Sequence, residues 1–280
     1  MKYAKVLARA LLIFIFGCLI MPIIVIATSN SNSDSEELII EETVVIEETV
    51  TETTEPTEEI LIDTPILYSE VGYIVPITYE EAVEVQLSVK HNIDKLHSEV
   101  NSTMYTERAS NTMLDEIDRL QIIYNLYQSD IDKFNTWLNE YPVATEVWFY
   151  LREQGFSESV TAGIIGNMMI ETSGGTLSLK PEIYGIGHYG LCQWSLYYRP
   201  EVADMSLYEQ LDYLMSDIKY EFDTFGFCYA RRFGYEEFLN LDSCREAAIA
   251  FARVYERPGA GTYNIRANSA EIAYNYFTGK

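Results

Sequence analysis

Glu171 ends the run GNMMIE, residues 166–171, and is followed directly by Thr172, Ser173, Gly174 and Gly175. Carboxyl groups move protons, and one set among apolar residues can do so near neutral pH because the charged form is disfavoured there. Val160, Ile164, Met168 and Glu171 are spaced by four, four and three residues, which puts them on one stripe of a helix that should face a core. At a helix C-terminus the negative end of the dipole also opposes ionisation. A lone glutamate at a helix end is an ordinary solvated residue, so the reading depends on its company. Residues 184–195, YGIGHYGLCQWS, place Gly185, Gly187 and Gly190 in a loop ahead of Gln193 and Trp194. Glycines let a backbone approach a ligand, an indole face stacks on a sugar ring, and a glutamine amide bonds hydroxyl or N-acetyl groups. A carboxylic acid beside such a platform points to glycan chemistry.

Local signals define the elements that would carry these residues. Residues 143–157 read as the end of a helix carrying Val147, Tyr150 and Leu151, with Gly155 as its stop. Ser157 is then the N-cap of the helix that leads to Glu171, and the Ser173 to Gly175 run is its terminator. Upstream, residues 79–141 keep a helical period, with Val83, Leu87, Ile93 and Leu96 near one stripe, and form a neck without a clean run of heptads.

The first 66 residues are of another kind. Lys2, Lys5 and Arg9 precede an apolar run over residues 10–27, about the length that spans a bilayer, so an uncleaved membrane anchor is expected with everything after it outside. Cleavage after Ala27 is the alternative and would give a secreted protein. Residues 29–66 contain no Lys or Arg and repeat IEETV at Ile40 and Ile46; like charges extend such a chain into a spacer. The domains expected are therefore 1–28 membrane segment, 29–66 acidic spacer, 67–142 helical neck and 143–280 catalytic domain.

Composition removes several function classes. Lys plus Arg is 19 against 43 Asp plus Glu, a formal charge of -24, which argues against a nucleic-acid partner. Three histidines and four cysteines fall in no CxxC or HExxH arrangement, so no metal and no cofactor are assigned. Outside the membrane disulfides are permitted, and Cys228 with Cys244 is a pairing that sequence leaves open.

The helix AGIIGNMMIET, residues 162–172, followed by a glycine-rich hairpin and YGLCQWS, residues 189–195, resembles the phage tail lysozyme family, a branch of the lysozyme-like superfamily that cuts peptidoglycan. YERPG, residues 255–259, is similar to an element that closes the family, and the resemblance runs from Ala144 to Phe277. It implies a mainly α fold: a lysozyme-like α+β domain with a small glycine-rich hairpin, after the neck and the membrane segment. It implies Glu171 as catalytic acid and Gln193 as a substrate contact; Trp194 and Thr172 adjoin them as candidate substrate contacts, Tyr189 is a packing or cleft-wall residue, and Tyr255 is a cleft tyrosine or a core one. Thr172 departs from the serine often found after the glutamate. A two-carboxylate hydrolase would need Glu182, Glu201 or Asp204 within about 5 to 9.5 Å of Glu171, whereas a lytic transglycosylase needs one acid. The partners expected are peptidoglycan glycan strands, the membrane through residues 10–27, and a secretion, conjugation or phage assembly.

Two rival classes stand beside this one. Cys192 with His188 four residues before it could serve a cysteine amidase or peptidase of the wall peptide. A wall-binding or assembly module would hold glycan without cutting it.

Overall fold

The computed structural model describes residues 62, 64–102, 104–229, 234–259 and 261–280. The expected membrane segment, nearly all of the acidic spacer, Cys18, the Cys228 side chain, Arg231 and Arg232 lie outside them. No helix among the described residues is long and apolar enough to cross a membrane.

The described chain is mainly helical with one small antiparallel sheet. The neck is a helical hairpin of α1 (Tyr79–Val100) and α2 (Glu107–Glu140), capped by Thr78 and Thr106, whose hydroxyls accept from Glu81 N and Ala109 N at 3.2 Å each. Val89, Ile93 and Leu96 meet Met113, Ile117, Leu120, Ile123 and Tyr127 in a core of their own. Leu87, expected on the buried stripe, is instead exposed. The stripe is Ala82, Gln86, Val89, Ile93 and Leu96, and Gln86 is kept on it because its amide donates to Gln128 Oε1 at 2.9 Å.

The far end of the hairpin packs into a second core. Ile131, Phe134 and Trp137 of α2 join residues of every later helix, with Trp137 edge-on to Phe277 at 5.0 Å between ring centroids. Residues on both sides of the expected boundary at 143 thus share one core.

From there the chain forms α3 (Pro142–Glu153) and α4 (Glu158–Ser173). Ser157 caps α4 by accepting from Val160 N at 3.1 Å, and Gly174 ends it in the left-handed conformation at φ 65°. The sheet follows: β1 (Tyr184–Gly185), β2 (His188–Tyr189) and β3 (Trp194–Ser195), in that order. Tyr184 faces Tyr189 across the first pair, and Tyr189 faces Trp194 across the second. After a 3-10 turn over Pro200–Val202 come α5 (Leu207–Tyr229), α6 (Tyr235–Leu239), α7 (Cys244–Phe251), a π-helical turn at Ala252–Glu256 and α8 (Tyr263–Thr278).

Helix α4 is the hub. It is buried nearly all round, so its apolar residues define no single stripe. Two glycines let its neighbours close in: a Cβ on Gly163 would lie 2.6 Å from Ala247 Cβ of α7, and one on Gly166 would lie 2.5 Å from Ala270 N of α8. That close crossing brings α8 against the last turn of α4. It is what positions the site.

Candidate active site

Glu171 lies on the last turn of α4 and its side chain is 20% exposed. Its setting differs from the apolar one expected of the stripe, because it forms an ion pair with Arg266 from the first turn of α8. The Arg266 side chain is 3% exposed, and its Nη1 donates to Asn167 Oδ1 at 3.0 Å. Asn167 is fully buried one turn before Glu171, and its Nδ2 donates to Gly163 O at 2.9 Å and Ala248 O at 3.0 Å. A buried amide with its hydrogen-bonding atoms engaged on three elements cannot swing without losing those bonds. Arg266 is therefore aimed, and Glu171 is held on it.

A second acid, Glu256, stands beside this pair at the end of the π-helical turn. Its Oε1 is sealed from solvent and has no hydrogen-bond partner. Burial, followed by the charge of Glu171, pushes the Glu256 carboxyl up to about 8, while Arg266, the Cys192 thiol and Arg199 act in the opposite direction. Burial thus favours the proton-bearing form of Glu256. It was not among the expected second carboxylates, although it lies in YERPG. The others have different roles: Glu201 accepts from Tyr213 OH at 2.9 Å, Asp204 accepts from Tyr184 OH, and Glu182 is exposed. Glu182 lines an open groove of ≈ 560 Å³ formed by residues 179–184. Glu171 is not in that lining.

The remaining expected site residues are mostly framework. Gln193, at φ 46°, donates through Nε2 to Ile183 O at 3.1 Å and Gly190 O at 2.9 Å, which locks the turn between β2 and β3. Trp194 is 5% exposed, so its ring is not an open platform; its Nε1 donates to Tyr255 OH at 3.0 Å. Tyr255 is buried in turn, and its hydroxyl donates to Asp217 Oδ2 at 3.2 Å. Thr172 is buried and donates to Met168 O at 2.8 Å, while Tyr189 is buried with its hydroxyl on Met205 O at 3.1 Å. Rings that do face solvent include Tyr184, Tyr197 at 85% and Tyr198 at 79%, the last two edge to face at 4.8 Å.

Cys192 is buried against the acid cluster. Burial, then the Glu256 and Glu171 carboxyls, push its thiol well above the ordinary value, which opposes the thiolate a nucleophile requires. His188 is exposed and its Nδ1 lies 2.8 Å from Ile186 O. Cys192 and Cys244 are both free thiols. Replacing Cys192 with Ser keeps a donor toward Glu256, so C192S is expected to retain most glycan-cleaving activity. Complete loss of muropeptide release by a variant with an unchanged circular dichroism spectrum would restore the thiol chemistry. Among the described residues, no group of three or more His, Cys, Asp and Glu side chains is arranged to hold a metal ion.

Across residues 142–277 the chain matches the family model described as phage tail lysozyme. That region is similar to the phage tail lysozyme family. The match begins at α3 and ends in α8, so the phage tail lysozyme region contains Glu171, Asn167, Cys192, Glu256 and Arg266. Its helical body and three-stranded sheet accord with a lysozyme-like fold, and the family implies a lysozyme-like activity on peptidoglycan. Comparison with curated proteins and comparison with solved structures each gave no match.

Asn167, Arg266 and Glu256 are the residues that sequence reasoning missed. Asn167 left a signal, since it precedes Glu171 by four residues and so shares its helix face. Glu256 left a weaker one in YERPG. Arg266 left none nearby, being 95 residues away from its partner.

Proposed function

We propose that this protein cuts the β-1,4 glycan strand of peptidoglycan from a membrane tether, with Glu171 as the general acid. The observation that carries the reading is a carboxyl at the end of the central helix of the matched region, held by a buried arginine and electrostatically coupled to a second, buried acid. Glu171, an anion while it is paired with Arg266, first takes up a proton from solvent, and the C1–O bond breaks as that proton passes to the leaving sugar oxygen. Arg266 stabilises the carboxylate left behind and so favours the late side of that transfer. The carboxylate then takes a proton back, either from water adding to C1 or from the muramyl 6-hydroxyl closing an anhydro ring. One acid/base group suffices for the second route, whereas hydrolysis with two carboxylates needs a partner at a defined distance.

Tyr197 and Tyr198 are the rings available to stack on sugars, in place of the buried Trp194. An anchor at residues 10–27 and an acidic spacer would confine cutting to the reach of the stalk, which suits local wall opening for a secretion, conjugation or phage assembly. Purified walls treated with the protein are expected to release soluble muropeptides with new reducing or anhydro-muramyl ends. New free amines without new glycan ends would favour an amidase or peptidase. Binding without release would favour a wall-binding module.

A further inference from the structure

Tyr197 and Tyr198 stand in water with their rings at right angles. Rings so placed add little to a core, yet the turn that carries them is fastened at both ends. At its start Ser195 pairs with His188 across the sheet, and its carbonyl accepts from Tyr198 N at 3.1 Å and Arg199 N at 2.9 Å. Leu196 N donates to Gly187 O at 2.9 Å. At its end the Arg199 guanidinium reaches α5, where Nη1 donates to Asp217 and Nη2 to Glu221 Oε1 at 2.7 Å. Glu221 is buried, and its other oxygen accepts from Arg257, just after the π-helical turn. Arg199 also lies 5.7 Å from the ring centroids of both Tyr213 and Tyr255. Two residues on, Glu201 accepts from Tyr213 OH at 2.9 Å. One side chain thus ties the segment after β3 to α5 and to the π-helical turn.

We propose that the Tyr197–Tyr198 turn is a glycan contact away from the reacting bond and that Arg199 is its positioning residue. The inference rests on a peptidoglycan glycan strand being the substrate. Sugars offer C–H faces to aromatic rings and hydroxyls to a phenol oxygen, and two rings at right angles can meet a face and a rim of the same strand. The acids are near: Cys192, buried against the Glu171 and Glu256 carboxyls, precedes Tyr197 by five residues, which span at most about 18 Å of chain. A polymer cut at Glu171 can touch rings at that distance. Rings already packed on each other, on a turn that cannot reorient, lose little freedom when a strand settles on them. Without Arg199 the turn keeps Ser195 but loses its hold on α5, and the rings must be ordered at each encounter. Lysine keeps the charge, but a compact ammonium lacks the planar fork that meets Asp217 and Glu221 together.

The test is binding of uncross-linked GlcNAc–MurNAc strands by the full chain carrying E171Q. Removing both rings, Y197A with Y198A, is expected to weaken binding by about tenfold, the scale of a lost stacking contact. R199K is expected to weaken it by about fivefold with the rings present, the cost of ordering a side chain on binding, and to have no effect once the rings are gone. With Glu171 in place, R199K should raise the KM for strand cutting and leave kcat within about twofold, because a contact away from the reacting bond serves ground and transition states alike. Parent-like binding by R199K would overturn the proposal. So would an equal loss with and without the rings, which is what a purely structural role of Arg199 predicts.

A second measurement needs only the folded parent. The 19F signals of fluorotyrosine at 197 and 198, assigned by their absence from Y197F and Y198F, are expected to shift as strands are added. Signals that stay in place while strands bind would overturn the proposal. A chain that binds no strand would take the glycan reading down with it, whereas an E171Q variant that still cuts would sink only the reading of Glu171.

Discussion

Replacing Glu171 with Gln is expected to lower muropeptide release by about two to four orders of magnitude, the worth of general acid catalysis, while leaving the fold in place. Gln keeps the size of the side chain and an oxygen that can still accept from Arg266, but it carries no proton for the leaving oxygen. From the sequence, neutralising a carboxylate at a helix end promises a small gain in stability. The ion pair reverses that sign: Arg266 is buried, and E171Q leaves its charge without an anion, at a cost of about 1–2 kcal/mol. Wall binding should persist, because the exposed Tyr197 and Tyr198 are untouched. The measurement is release from purified walls by parent and variant, beside their melting curves. E171Q cutting at near-parent rate would reduce Glu171 to the counter-ion of Arg266.

What could be read from the sequence here was what short stretches decide for themselves. Ser157 and Gly174 bound α4 as the capping rules require, and residues 184–195, a loop by their glycines and a hairpin by the family resemblance, form short antiparallel strands. Burial depends on partners, and there the sequence was less informative. Leu87 and Val89 lie on opposite sides of the helix, and Val89, which steps by four and three residues to Ile93 and Leu96, is the one that meets α2. Trp194 has the ring chemistry of a sugar platform, yet Tyr255, 61 residues later, supplies a hydroxyl that draws the indole inward. The stripe through Val160, Ile164 and Met168 carried no information about Glu171 because α4 is enclosed on every side. Charge pairing between distant helices has no local signature, so Glu171 was legible as a candidate while its ion-pair partner Arg266 was not.

Arg266 is where the largest loss of stability is expected. Arg266→Met keeps most of the length and apolar stem of the side chain but removes the donors to Asn167 and Glu171 together. Asn167 is fully buried, so its Oδ1 is left unsatisfied where water does not reach. Glu171 is partly exposed and recovers some solvation, which places the total near 3 kcal/mol rather than at the top of the range for a broken buried pair, about 5 kcal/mol. For a unit of this size the melting temperature should fall by about 6–12 °C. In the E171Q background the same substitution should cost less, since the ion pair is already gone. A double-mutant cycle on melting temperature and denaturant midpoint is expected to return a coupling of about 1–2 kcal/mol between the two positions. Additive losses would mean that Arg266 is held chiefly by Asn167 and the packing of α8 on α4, and that Glu171 is free of it in solution.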